Sequence, residues 1–197
     1  MSVFLEMSRA VEARDPFSAG HAARVSVFAE VVAARLGLDE DQIEIVRVGA
    51  ALHDIGKLAI STEVLTKAGP LTDEQLEEIR AHPEAGARML ELVKPLRRAI
   101  SCVRHHHERW DGAGYPDGFA GEEIPLEARI LAVADAFDAM TSDRPYREAL
   151  AVEHAIEELV RCAGAQFDPD VVTVFVEAWQ DGAFEIEVAA GIRAAAS

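Results

Sequence analysis

Basic residues are scarce in this sequence. Nineteen Lys and Arg stand against 35 Asp and Glu, for a formal net charge of −16. A surface that acidic excludes broad binding to nucleic acid polymers or to anionic membranes, both of which need basic patches. It leaves room for a small anionic ligand held by a local positive site. Cysteine is nearly absent, with Cys102 and Cys162 alone. Two cysteines make no disulfide framework; both read as small buried hydrophobes in a reducing, cytoplasmic compartment. No apolar run approaches the ~20 residues of a membrane span, so membrane insertion is not expected. The opening "MSVFLEMSRAVEARD" has no basic stretch leading into an apolar run, and so does not read as a signal peptide. Repeats and low-complexity linkers are missing too, and nothing alternates with period two for long enough to form a strand.

What is present is apolar content and helical periodicity. Half of the 197 residues are hydrophobic, only 6% are aromatic, and Ala is abundant, which favours one all-α domain with a substantial core. Residues 18–36 predict an amphipathic helix capped by Ser18, with Val25, Phe28, Val32 and Leu36 on one face and Gly37 beyond its end. Asp39 opens a helix over 40–56. Thr72, with Gln75 three residues on, signals a capping box. His82 before Pro83 predicts a helix start at the histidine. Residues 95–107, 126–141, 151–163 and 169–180 also read as helices, and the Ala-rich 183–197 as a tail of its own.

The histidines and aspartates fall inside or beside these apolar segments. "AALHDIGK" places His53 and Asp54 after small apolar residues, where a carboxylate costs several kcal/mol unless paired or metal-bound. On a helix these neighbours point about 100° apart, so both can approach one cation, and Asp54 has a second oxygen for another. Alone, the pair reads as readily as a structural contact at a helix end. Asp135 lies in the apolar run "ILAVADAFDAM", with Asp138 three residues on and on the same face. His21 alone fits a core histidine, and His82 alone a helix start. His154 lies on a charged helix and carries no expected role. In "RHHHERWDGAGYP", His105, His106 and His107 fan over about 200° of a helix, so one metal cannot take all three. The summed set of imidazoles and carboxylates suits Fe, Mn or Zn better than an all-oxygen Mg or Ca site, and is large enough for two metals that clamp a displacement at phosphorus.

"RDPFSAGH", "HDIGK", "HPE", "HHERWDGAGYP", "GEEIPLEARILAVADAFDAMTSDRPYR" and "GAQFDPD" occur in order over about 14–170. In this the sequence resembles the HD-GYP domain, a branch of the HD phosphohydrolase superfamily. The resemblance implies a helical HD-domain bundle with a Gly/Pro-rich GYP loop, spanning residues 1–182. It implies a metal-dependent phosphodiesterase that hydrolyses cyclic di-GMP to pGpG, and in some members on to GMP, through a hydroxide bridging two metals. It also implies a ligand set: His21, His53, Asp54 and Asp135 around one metal, and His82, His106 and His107 around a second bridged by Asp54, with His105 a spare or supporting side chain. Lys57 would act beside Asp54 in catalysis and contact the scissile phosphate, and Asp138, Arg144 and Arg147 would bind substrate or line the site. Where relatives with three metals carry a Glu, this chain has Phe17, so a binuclear centre is expected, with Fe or Mn as its metals and Zn, Ni or Mg as stand-ins in preparations. Partners implied by the resemblance are cyclic di-GMP itself, GGDEF-type or other signalling domains docking through the GYP loop, and a second copy in a homodimer. Two other readings stand beside the first: a cyclic-dinucleotide-binding or interaction module with little turnover, and a hydrolase of another cyclic dinucleotide such as cyclic GMP-AMP.

Overall fold

The computed structural model describes residues 2–14, 19–67, 69–143 and 148–184. Among them there are ten α-helices: α1 (Ser2–Glu12), α2 (His21–Arg35), α3 (Glu40–Leu52), α4 (Thr62–Leu65), α5 (Asp73–Arg80), α6 (His82–Glu91), α7 (Ile100–His105), α8 (Leu126–Thr141), α9 (Val152–Cys162) and α10 (Pro169–Gln180). Short 3-10 turns cover Ile55–Ala59, Lys94–Ala99 and Gly121–Glu123. No strand occurs among the described residues, and the all-α expectation holds. No described helix is long and apolar enough to cross a membrane.

Local signals set most of the helix starts. Asp39 accepts from the backbone of Gln42, whose side chain returns to Asp39, closing a capping box at α3. Thr72 and Gln75 do the same for α5. Asp168 caps α10 ahead of Pro169. The predicted cap of α2, Ser18, lies outside the described residues; the residue before α2 is Gly20, at φ 71° and with no side-chain cap of its own.

The main core lies among α2, α3, α8, α9 and α10. Phe28 (α2), Phe137 (α8), Phe175 (α10) and Phe184 form a ring cluster, with Phe175–Phe137 and Phe175–Phe184 centroids 4.9 and 4.7 Å apart. Such contacts add to the burial of large aromatic surfaces. Phe184 is buried in this cluster; residues 185–197 of the expected tail lie outside the described residues. A second cluster, Val11, Val48, Ala51, Leu52, Ile55, Leu90, Leu96, Ala99 and Val103, joins α1, α3, α6 and α7. Helix α1 was not legible as a helix in the sequence reading.

Two departures concern the helix that carries the His-Asp pair. It ends at Leu52, short of the expected 56. His53 is its last αR residue, and Asp54 has turned to φ −91°, ψ 4°, so the pair sits at a helix end, where the chain bends into the 3-10 turn. Gly56 explains the bend: a Cβ there would stand 1.9 Å from the His82 carbonyl oxygen and 2.6 Å from the Gly86 nitrogen. Only glycine lets this turn lie directly on the start of α6. Cys102 is buried against Gly49, as expected, while Cys162 is half-buried beside Glu158.

Candidate metal centre

Five segments deliver their polar side chains to one place. The first residue of α2 gives His21, the end of α3 gives His53 and Asp54, the first residue of α6 gives His82, the end of α7 gives His106 and His107, and mid-α8 gives Asp135. His21, His53, His82 and His106 are all buried. Three of them share one orienting device: Nδ1–H donates to the carbonyl three residues back, from His53 to Ala50 (2.8 Å), from His82 to Ile79 (2.7 Å) and from His106 to Val103 (2.7 Å). That contact fixes the tautomer and leaves the Nε2 lone pair facing inward. His21 is oriented differently, with Nδ1 donating to Asp138 Oδ2 at 2.7 Å.

The Nε2 atoms converge in two groups. His21 Nε2 is 3.2 Å from both His53 Nε2 and Asp135 Oδ1. His82 Nε2 is 3.4 Å from His106 Nε2, and the His107 ring lies 4.1 Å from that of His106. Asp54 stands between them, with Oδ2 3.4 Å from His53 Nε2 and Oδ1 3.5 Å from His82 Nε2. Lys57 Nζ donates to Asp54 Oδ2 at 2.7 Å. Candidate ligand atoms of His21, His53 and Asp54, and separately of His82, His106 and His107, lie within 4.8 Å of one another. Both groups can hold a divalent metal.

Their protonation suits that task. Burial and then the neighbouring imidazoles drive His106 well below the usual histidine range; burial also lowers His82, and takes His107 down to about 4. Neutral imidazoles keep the lone pairs a metal needs. Burial opposes ionisation of Asp54, but Lys57, His53 and His82 overcome it and hold the carboxyl far below its normal range. Asp135 is held down likewise, with burial opposed chiefly by His21. Burial opposes charge on His21 too, yet bonds to Asp135 and Asp138 raise it to about 10. His21 must therefore surrender its Nε2 proton to bind a metal.

The Gly/Pro loop closes one side. Tyr115 lies over His107, with centroids 5.0 Å apart, and the Arg80 guanidinium stands 5.8 Å from the Tyr115 ring centre. Asp117 accepts from Arg104 through both oxygens (2.9 and 3.0 Å) and meets His105 Nε2 at 3.0 Å, while Phe119 stacks on His105. Buried Glu108 accepts from the backbones of Asp117 (2.7 Å) and Gly118 (3.0 Å). At the loop base, Trp110 and Asp111 donate backbone bonds to Gln166 and Ala165, which ties the loop to the "GAQFDPD" turn.

A model of the HD domain family matches residues 6–171. The chain belongs to the HD domain family. It is similar to the cyclic di-GMP phosphodiesterase response regulator RpfG of Xanthomonas campestris, at 44% identity over 84% of this chain and 44% of that protein. It is 35% identical to the 3′3′-cGAMP-specific phosphodiesterase 2 of Vibrio cholerae, over 89% of this chain and 34% of that one. The chain thus spans less than half the length of these curated relatives. Its fold matches the crystal structure of a cyclic GMP-AMP specific phosphodiesterase from V. cholerae, with a TM-score of 0.74 at 19% identity, covering 92% of this chain and 49% of that one.

The fold therefore brings together all seven residues expected as metal ligands, with Lys57 among them. The three consecutive histidines divide: His106 and His107 face His82, while His105 turns to the loop and supports Asp117. Asp138 lies behind this cluster. Expected to bind substrate or line the site, it is 2% exposed and bonded to His21, to Arg24 (2.6 and 3.0 Å) and to Ser142 (3.4 Å). Its Oδ2 is shared between the His21 ring and Arg24, and its Oδ1 meets Arg24 alone. Arg144, Arg147 and Phe17 lie outside the described residues. Arg24 carried no signal in the sequence, because its partner Asp138 lies 114 residues away; Arg80 and the Arg104–Asp117 pair, 13 residues apart, carried none either, whereas Glu108 did, as an acid directly after the histidines.

Proposed function

We propose that this domain is a metal-dependent phosphodiesterase acting on cyclic dinucleotides, with cyclic di-GMP as its first substrate and linear pGpG as its product. The observation that carries the reading is Asp54. Its two oxygens are divided between two histidine groups, the arrangement a carboxylate needs to bridge two cations. His21, His53, Asp54 and Asp135 would hold one ion, and His82, His106 and His107, with the other Asp54 oxygen, the second. The nitrogen-rich donor set favours Fe or Mn over Mg or Ca. When bound, the ions would activate water for attack at phosphorus and offset the charge that develops there.

The chain's own groups supply the rest. Lys57 is bonded to Asp54 and keeps that carboxylate ionised; its ammonium would meet a phosphate oxygen beside the bridge. Arg80, at the rim over Tyr115, is the cation we assign to drawing an anionic ligand toward the His107 side in a protein of net charge −16. Arg144 and Arg147 remain proposed phosphate contacts, bidentate in character. A second substrate, 3′3′-cyclic GMP-AMP, is favoured by the 35% identity to a relative named as specific for it.

The test is product chromatography. Protein purified without oxygen, with its metal content measured by elemental analysis, is incubated with cyclic di-GMP and with 3′3′-cyclic GMP-AMP, separately and in competition. We expect close to two ions per chain and a pGpG peak. Asp54→Ala should lose both ions and turnover; wild-type-like turnover in that variant refutes the bridged centre.

A further inference from the structure

We infer that the end of helix α1 and the turn after it position the proposed metal-ligand cluster from outside, Glu12 fixing the backbone at His21 and Arg14 fixing the chain that leaves Lys57. The inference rests on the metal-centre reading above, and names residues to which neither the motifs nor the mechanism gave a role.

Helix α2 begins at a proposed ligand, and Gly20 before it has no side chain with which to cap it. Its first N–H groups have no acceptor within the helix and need one from elsewhere. Glu12 supplies it across the fold: Oε2 accepts from Gly20 N at 3.0 Å and Oε1 from Ala22 N at 3.2 Å. One carboxylate thus brackets His21, holding the residue on each side. Its negative charge also sits where the helix dipole is positive. The His21 ring is set by Asp138 and its backbone by Glu12, so the imidazole is constrained at both ends.

Two residues on, Arg14 reaches the other ligand-bearing segment. Nη1 donates to Leu58 O at 2.7 Å, and Nη2 donates to Ile60 O at 3.0 Å and to Thr62 Oγ1 at 3.1 Å. Leu58 directly follows Lys57, so the guanidinium ties down the turn that carries the lysine and begins at Asp54. The clamp itself is anchored: Val11 and Ser8 of α1 are buried, and Val11 packs in the cluster with Ala51, Leu52 and Ile55. A small cavity lined by Ser8, Glu12, His21 and Asp54 lies between α1 and the ligands. Supports behind metal ligands set ligand geometry, and losing one typically costs about 10–100-fold in metal affinity.

The test is titration of metal into chelator-stripped full-length chain, read by calorimetry and by competition with a chromogenic chelator, beside thermal melting of the metal-free form. Glu12→Ala should weaken one of the two ions about 10–100-fold and leave the other within about twofold. Its metal-free melting temperature should stay close to wild type. Glu12→Gln, which keeps one acceptor oxygen, should fall between the two. Arg14→Ala should keep both ions but lower kcat on the cyclic dinucleotide about tenfold at unchanged KM, with partial rescue by Arg14→Lys. Unchanged affinity in Glu12→Ala, or equal weakening of both ions alongside a lower melting temperature, overturns the Glu12 assignment. Unchanged kcat in Arg14→Ala overturns that of Arg14. A wild-type chain that takes up no divalent metal refutes the proposed function, and this inference with it; a wild type that takes up two ions while Glu12→Ala binds both normally refutes the inference alone.

Discussion

Replacing Gly56 by alanine tests the join between the two halves of the site. The added methyl carbon would lie 1.9 Å from His82 O, 2.8 Å from His82 C and 2.6 Å from Gly86 N, all of them main-chain atoms that no rotamer change can move. The contact floor for a Cβ is about 3.0 Å, so the 3-10 turn and the start of α6 must part by about 1 Å. The two sides of that join carry Asp54 and His82, whose Oδ1–Nε2 separation is 3.5 Å. Overpacking of this kind costs about 1–3 kcal/mol, a drop in melting temperature of about 2–12 °C for a chain of this size. A misplacement of about 1 Å in a catalytic array costs on the order of 10²-fold in rate. Calorimetric melting of the metal-free protein, metal content by elemental analysis and turnover of cyclic di-GMP check the three consequences. We expect a clear loss of stability and a still larger loss of activity, with the bridged pair of ions no longer bound together. A Gly56→Ala protein that melts within about 1 °C of wild type and retains two ions would refute the claim that this glycine seats the turn on α6.

Lys57→Met should retain both ions while turnover falls on the order of 10²-fold, as expected for losing a cation that meets developing charge; metal content beside kcat checks it. Asp138→Ala leaves His21 Nδ1 and Arg24 without their shared acceptor, and should weaken one ion at least tenfold in a chelator competition, by roughly the effect of other supporting residues. Glu108→Ala frees the backbone N–H groups of Asp117 and Gly118, and should speed tryptic cleavage at Arg109 while leaving global melting within a few degrees. Phe175→Ala empties the centre of the aromatic cluster. It should cost about 3–5 kcal/mol, read as a melting temperature about 6–20 °C lower, with metal stoichiometry unchanged below the transition.

The helices were legible where local chemistry and apolar period agreed. Asp39–Gln42 and Thr72–Gln75 are capping boxes whose partners lie three residues apart, and α8 runs over the stretch its periodicity marked. Where a boundary depends on a distant contact, the pattern misled. The His-Asp helix looked continuous to 56, because nothing local announces that Gly56 must lie against His82, 26 residues away in the chain. Helix α1 left little trace for a similar reason: Ser8 and Val11 are the buried ones among its described side chains, and the polar groups at and after its end find partners on α2 and the turn after Lys57.

Within the site, residue type and spacing revealed which groups meet, but not which atom each one meets. A carboxylate inside an apolar run is costly, so Asp54, Asp135 and Asp138 advertised a shared polar centre. Asp135 and Asp138 do share a face of α8, and both reach His21. Asp135 meets it at Nε2 and Asp138 at Nδ1, on opposite edges of one imidazole. That difference separates a proposed ligand position from a proposed support. It is set by how α2 crosses α8, a packing relation between residues 117 apart in the chain. Arg24, which completes the support, lies 114 residues from Asp138. Cost arguments applied to one segment can therefore nominate the members of a metal centre, whereas their division into ligands and supports follows only from the crossing of helices that carry them.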